Sequence, residues 1–184
     1  MNKMRTINEI SKILTLNKQT KGGKIVFAIS SFIATGCYIG KIKYAPGTFG
    51  SFLAILLCPI YITISVPWQI VVFFSLLIFG SISAHFYLIK IGNLKKDPKE
   101  VVIDEMVAIF FMILLSQTII KADDMQYWHF ALIFVLFRLF DIFKPYPISW
   151  VDKNVHGANG IMLDDLLAGI AGWFIFSIAC KYIS

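Results

Sequence analysis

The chain has 184 residues, of which 58% are hydrophobic, 15% aromatic and only 15% charged, with a mean hydropathy of +0.75. Soluble domains usually carry about 25% charged and 45–50% apolar residues, so the composition excludes an ordinary water-soluble globule and also a disordered chain. The net charge of +6 suits an anionic lipid surface, which attracts juxtamembrane Lys and Arg. No polar segment interleaves basic residues with stacking aromatics, so nucleic acid is not an expected partner.

Residues 1–24 are polar and basic and lack the apolar stretch of a cleavable signal peptide. Within them Ile7, Ile10, Ile13 and Leu14 recur at helical spacing, which predicts an amphipathic helix on the membrane surface. Residues 25–39 are apolar but short and hold Ser30, Ser31, Thr35 and Gly36, which reads as a half-span or re-entrant segment. Five stretches then read as spans: 49–66, 69–89, 101–120, 128–143 and 162–183. A span takes roughly 17–25 apolar residues, so the fourth is short. The expected fold is an all-α polytopic membrane bundle of about five spans, with the half-span and the N-terminal helix added. Residues 25–184 form one domain. Cys37, Cys58 and Cys180 lie in apolar stretches at unrelated spacings and make no zinc or redox motif.

Orientation follows from the basic residues. If residues 25–39 do not cross, one side carries fourteen Lys and Arg, from Lys3 to Lys153, against Lys121 and Lys181 on the other. If they do cross, the split falls to eight against eight. The first reading is preferred and places the N-terminus in the cytoplasm.

Four polar clusters interrupt the apolar pattern, all on the cytoplasmic side of that topology. They are residues 44–51, Asp104-Glu105, Arg138/Asp141/Lys144, and Asp164-Asp165. Ionisable groups at membrane depth are costly and usually functional. Adjacent acids lie about 100° apart on a helix, so one of each pair ligates or acts as a base while the other supports it or caps the helix. Arg138, Asp141 and Lys144 share a face if their helix continues, before Pro145 and Pro147 stop it. Plainer explanations exist for each: carboxylates stabilise helix N-termini, and Arg138 with Asp141 could be a structural ion pair.

Gly47 and Thr48, with Ser51 after them, open a span from a turn, where backbone N–H groups and hydroxyls suit an anion. Residues 154–160 form a polar, glycine-containing loop in which Asn154 and His156 could contact a phosphate, though an incidental His in a turn explains it equally. His85 and His129 receive no role. Carboxylates without Cys or clustered His favour a hard cation, and Mg²⁺ fits best. With Arg and Lys beside it, such a set suits phosphate chemistry on a membrane-resident substrate.

The runs Ala45-Pro46-Gly47-Thr48-Phe49-Gly50-Ser51 and Val102-Ile103-Asp104-Glu105 resemble phosphatidylglycerophosphatase A. So do residues 137–148, 154–157 and 160–169, in the family's order and spacing. The resemblance runs from about Ile25 to the C-terminus. It implies a Mg²⁺-dependent, multi-pass enzyme of the bacterial inner membrane, facing the cytoplasm, that removes the terminal phosphate of the phospholipid phosphatidylglycerophosphate. Ala108 stands where the family usually has Gly, and Lys41 and Lys43 make the stretch before Ala45 more basic than is usual.

The expected site has Asp104, Glu105, Asp164 and Asp165 as metal ligands and Asp141 as ligand or base. Arg138 and Lys144 clamp phosphate, and Gly47, Thr48, Ser51, Asn154 and His156 contact the headgroup. Neither C-x5-R nor D-x-D occurs, which favours attack by a metal-activated water over a phospho-enzyme; hydroxylamine trapping would reveal the latter. A CDP-alcohol headgroup transferase is disfavoured because D-G-x-x-A-R is missing. A small cation transporter is disfavoured because the acidic clusters within spans gather at one face, Asp123 and Asp124 lying in a polar loop on the far side.

Overall fold

The computed structural model describes residues 20–92 and 98–183. The surface helix expected around Ile7–Leu14 lies outside them. Among the described residues the chain is all helical, with seven α-helices: α1 Lys21–Ala34, α2 Pro46–Tyr61, α3 Val66–Ile91, α4 Ile103–Ser116, α5 Tyr127–Phe143, α6 Ile148–Asn154 and α7 Ala158–Ile183. Short 3₁₀ turns at Ile39–Lys41 and Ala122–Asp124 complete the path.

The bundle is organised around α4. Eleven of its fourteen residues are buried, because it is apolar on every side and packs against α2, α3, α5 and α7. Close approach to α7 depends on small residues: a Cβ built on Gly169 would lie 3.1 Å from the Ala108 carbonyl oxygen. Ala108 is therefore accommodated where its partner is glycine. On the other flank, the buried Gln69 of α3 and Gln117 exchange side-chain hydrogen bonds of 2.5 and 3.2 Å. His129 accepts from the Gln126 N–H at the start of α5, so its role is a helix cap.

Among the described residues two helices, Val66–Ile91 and Ala158–Tyr182, are long and apolar enough to cross a membrane. About five had been expected. A bilayer core of ~30 Å takes ~20 residues, whereas α2, α4 and α5 have 16, 14 and 17. The reason is local: residues 62–64 and 117–120, whose Ile62, Ile64, Ile119 and Ile120 lengthen the hydropathy pattern, are turns or bends and not helix. In the segment expected to be a half-span, α1 ends at Ala34, and Gly36, Cys37 and Tyr38 all take positive φ. The turn brings the Ala34 carbonyl to the Val102 N–H at 3.0 Å, tying this segment to the entrance of α4.

Candidate active site

Three of the polar clusters sit at the ends of elements and the fourth lies in the second turn of α7, and the fold brings them together. Ala45, Pro46 and Gly47 open α2. Lys99, Val101, Asp104 and Glu105 lead into α4. Arg138, Asp141 and Lys144 close α5, and Asp165 comes from α7. Together they line one cavity of about 300 Å³.

Two backbone features shape its rim. Ala45 and Lys144 both have left-handed φ, of 46° and 39°, a conformation that costs a non-glycine residue roughly 1–2 kcal/mol. Such strain persists only where surrounding structure holds it, often at functional sites. For Lys144 it ends α5 and takes the side chain off the face shared by Arg138 and Asp141. The three do not form one stripe.

Arg138 instead serves as the hub of one ion-pair set, with Nη1 at 2.6 Å from Asp141 Oδ2 and 3.0 Å from Glu105 Oε1. It also approaches the buried Ser51 hydroxyl at 3.4 Å, and that hydroxyl donates to the Gly47 carbonyl. Gly47 has no side chain because Glu105 occupies the space: a Cβ there would lie 1.9 Å from Glu105 Oε1.

Lys144 is the hub of a second set. Its Nζ binds Asp152 Oδ1 at 2.7 Å and also Asp164 Oδ2. Burial works against the Lys144 charge, but hydrogen bonds to Asp152 and Asp164, with their negative charge, outweigh it and hold the ammonium above the usual lysine range. It stays protonated at every physiological pH. Lys144→Met should therefore leave Asp164, only 4% exposed at its side chain, without its cation. Thermal unfolding in detergent should show a loss of about 3 kcal/mol, the low end for a broken buried pair, mostly recovered by Lys144→Arg.

Asp164 and Asp165 are not at the opening of their helix. Because α7 begins at Ala158, they lie in its second turn and are buried. The dipole explanation thus does not apply to them. It still applies to Asp104 and Glu105, in the first turn of α4. Asp164 Oδ1 and Asp165 Oδ2 are buried with no hydrogen-bond partner. Asp165 also lies within electrostatic reach of Asp104, Asp141, Glu105 and Asp164.

The remaining expected residues fall elsewhere. Thr48 is half-buried and does not line this cavity. Asn154 is exposed and donates to the Trp150 carbonyl at 2.7 Å. His156 does not line the charged cavity but lines a larger one of about 530 Å³ with His85. A narrow pocket containing Asp152, His156 and Asp164 lies between the two.

Two residues were not singled out from sequence. Lys99 faces the cavity from a loop, where its only signal was membership of a basic cluster. Asp152 follows Lys144 by eight residues across a chain reversal, a spacing with no periodic meaning.

Comparison with known proteins agrees with the motif order. The family model for phosphatidylglycerophosphatase A matches residues 32–180, which include every residue of the cavity. The phosphatidylglycerophosphatase A of Escherichia coli (strain K12) is 35% identical over 141 residues, 75% of this chain and 76% of that protein. That of Haemophilus influenzae (strain Rd) is 33% identical over 141 residues, 75% and 80% of the two chains. A Bacteroides thetaiotaomicron protein named "Putative phosphatidylinositol-3-phosphatase" is 33% identical over 151 residues, 80% of this chain and 91% of that one. No solved structure matches the chain significantly.

Proposed function

This chain belongs to the phosphatidylglycerophosphatase A family, and from that premise we propose that it hydrolyses phosphatidylglycerophosphate to phosphatidylglycerol and inorganic phosphate. The observation that supports this most is the meeting of four sequence-distant clusters in one cavity lined by Lys99, Arg138 and Lys144 together with carboxylates. Cations aimed at a phosphoryl group stabilise the charge that spreads over its oxygens during transfer.

Lys99, Arg138 and Lys144 bind the phosphate monoester. Glu105 holds the Arg138 guanidinium in place, and Asp152 does the same for the Lys144 ammonium. Asp141 accepts a proton from the attacking water. As the water oxygen bonds to phosphorus, the bond from phosphorus to the glycerol oxygen breaks, and that oxygen takes the proton that Asp141 received, which returns the carboxylate to its starting state.

Mg²⁺ suits the donors present. The cavity offers carboxylate oxygens and contains neither Cys nor His, and the partnerless oxygens of Asp164 and Asp165 are ones a hard cation would satisfy. Among the described residues no three His, Cys, Asp or Glu side chains are already gathered to hold an ion, so loading requires side-chain movement. Asp164 and Asp165 would hold it with Asp104, Glu105 or Asp141. When bound, it supplies counter-charge to the phosphoryl oxygens and lowers the pKa of water.

The protein works as a multi-pass bundle in the bacterial inner membrane with this cavity at the cytoplasmic face. In support, α2, α3, α5 and α7 expose large apolar side chains outward, Phe52, Phe79, Val135 and Phe174 among them. Lys99 and Lys144 line the cavity, and Lys41 and Lys43 precede the segment that opens it, the basic side of the sequence pattern.

Phosphate release from phosphatidylglycerophosphate in detergent micelles tests the reading. Wild type should need Mg²⁺ and should prefer this lipid to phosphatidylinositol 3-phosphate. Asp141→Ala should lose about 100-fold or more, as for a missing general base, while remaining folded. No release by wild type with any divalent metal overturns the proposal; a preference for the inositol lipid keeps the chemistry and changes the headgroup.

A further inference from the structure

A second cavity, apolar and with its own lining, lies between α2 and α5 further along the same two helices. The two helices run antiparallel: Gly47 and Ser51 lie beside Arg138, and Phe52 meets Phe134 edge-on at 6.2 Å between ring centroids. Beyond that ring pair, residues 52–59 of α2 and 127–135 of α5 line an apolar groove of about 350 Å³. Its floor includes the buried Phe130, while Phe52, Leu56 and Val135 leave it open on the outer side. Pro59 closes the α2 wall; having no N–H, it cannot hydrogen-bond the preceding turn and shapes the helix there.

Resting on the function proposed above, we propose that this groove binds an acyl chain of the lipid whose phosphate occupies the cavity. The spacing fits such an occupant. At 1.5 Å per residue, Phe52 lies ~8 Å along α2 from Gly47, room for the glycerol linkage, and the groove runs a further ~10 Å to Pro59. An extended chain advances about 1.25 Å per methylene, from ordinary carbon bond lengths and angles. The groove thus takes about eight methylenes, within one leaflet of a bilayer whose core is ~30 Å thick. Groove and cavity share both helices, so one lipid fills both. An ordinary annular lipid would have no reason to favour this face over α3, where Phe74, Ile78 and Phe79 are equally exposed.

A phosphatidate carrying a diazirine at mid-chain, added to the purified protein in nanodiscs, tests this without using activity. Photolabelling should concentrate several-fold on peptides covering 52–59 and 127–135 relative to the α3 peptide holding Phe74 and Phe79. Filling the groove with Ala131→Trp should remove that excess, and Ala131→Leu should reduce it. Labelling spread evenly over α3 and the groove overturns the inference.

The kinetic arm follows from the same variants. With dioleoyl substrate, Ala131→Trp should raise KM about tenfold and leave kcat within about twofold; with a deacylated headgroup substrate it should change neither. Equal effects on both substrates also overturn the inference. If wild type releases no phosphate but the labelling excess is present, the activity reading fails while the chain-binding groove stands.

Discussion

Arg138→Ala is expected to abolish measurable phosphate release, a loss of at least about 100-fold, because charge stabilisation in a water-poor site is worth several kcal/mol. It should also destabilise the bundle. Glu105 and Asp141, both mostly buried, lose the guanidinium that holds them at 3.0 and 2.6 Å. Breaking a buried pair from one side costs about 3–5 kcal/mol, since the remaining charge keeps its desolvation penalty.

The two effects are separable. Adding Glu105→Gln to Arg138→Ala should recover part of the melting temperature in detergent, since one unpaired charge becomes neutral, but none of the activity. Arg138→Lys should retain more stability than Arg138→Ala while staying far below wild-type turnover, because a guanidinium can hold Glu105 and Asp141 through Nη1 and keep further N–H donors for phosphate, whereas an ammonium is a single point charge. Full activity in Arg138→Ala would remove this residue from the proposed mechanism.

Gly47→Ala is the second large effect, and it contradicts helix propensity. Alanine is the better helix former by about 1 kcal/mol, so local reasoning expects stabilisation of α2. In the tertiary structure the new methyl would lie 1.9 Å from Glu105 Oε1 and 3.3 Å from Arg138 Nη1. Glu105 must move, and Arg138 with it. Misplacing a positioned group by ~1 Å can cost about 100-fold, and turnover should fall by at least about tenfold. Gly22→Ala is the matched control, since a Cβ there meets nothing within 4 Å. Comparable loss in both variants would show that the effect does not arise from the Glu105 contact.

These two residues also mark what could be read from the chain alone. In sequence Gly47 reads as part of a turn that opens a helix, and Pro46 does begin α2 directly after Ala45. Its second use, clearance for Glu105, depends on a residue 58 positions away, and no local pattern encodes that distance. Asp164-Asp165 illustrates a boundary error of the same origin. The hydropathy rise begins at Met162, but the helix begins at Ala158. The polar residues between, Asn159 and Gly160, are helical because α7 packs against α6, and a Cβ on Gly160 would strike the Val155 carbonyl oxygen at 2.1 Å. Four residues of shift move two acids from a helix end, where the dipole explains them, into a buried second turn, where it does not.

By itself the sequence determined the helical class, the apolar character and the four clusters that converge. These are local or compositional properties: hydropathy, helical spacing and the Gly and Pro breaks report on their own neighbourhood. The tertiary structure decided which charges meet. Arg138 and Lys144 are six residues apart and read as one face, yet the left-handed turn at Lys144 divides them into two ion-pair sets, one with Glu105 and Asp141, the other with Asp152 and Asp164. Only the packing of α4, α5, α6 and α7 brings those carboxylates within reach. That packing is a sum of many weak contacts between distant segments, and no single stretch of chain contains it.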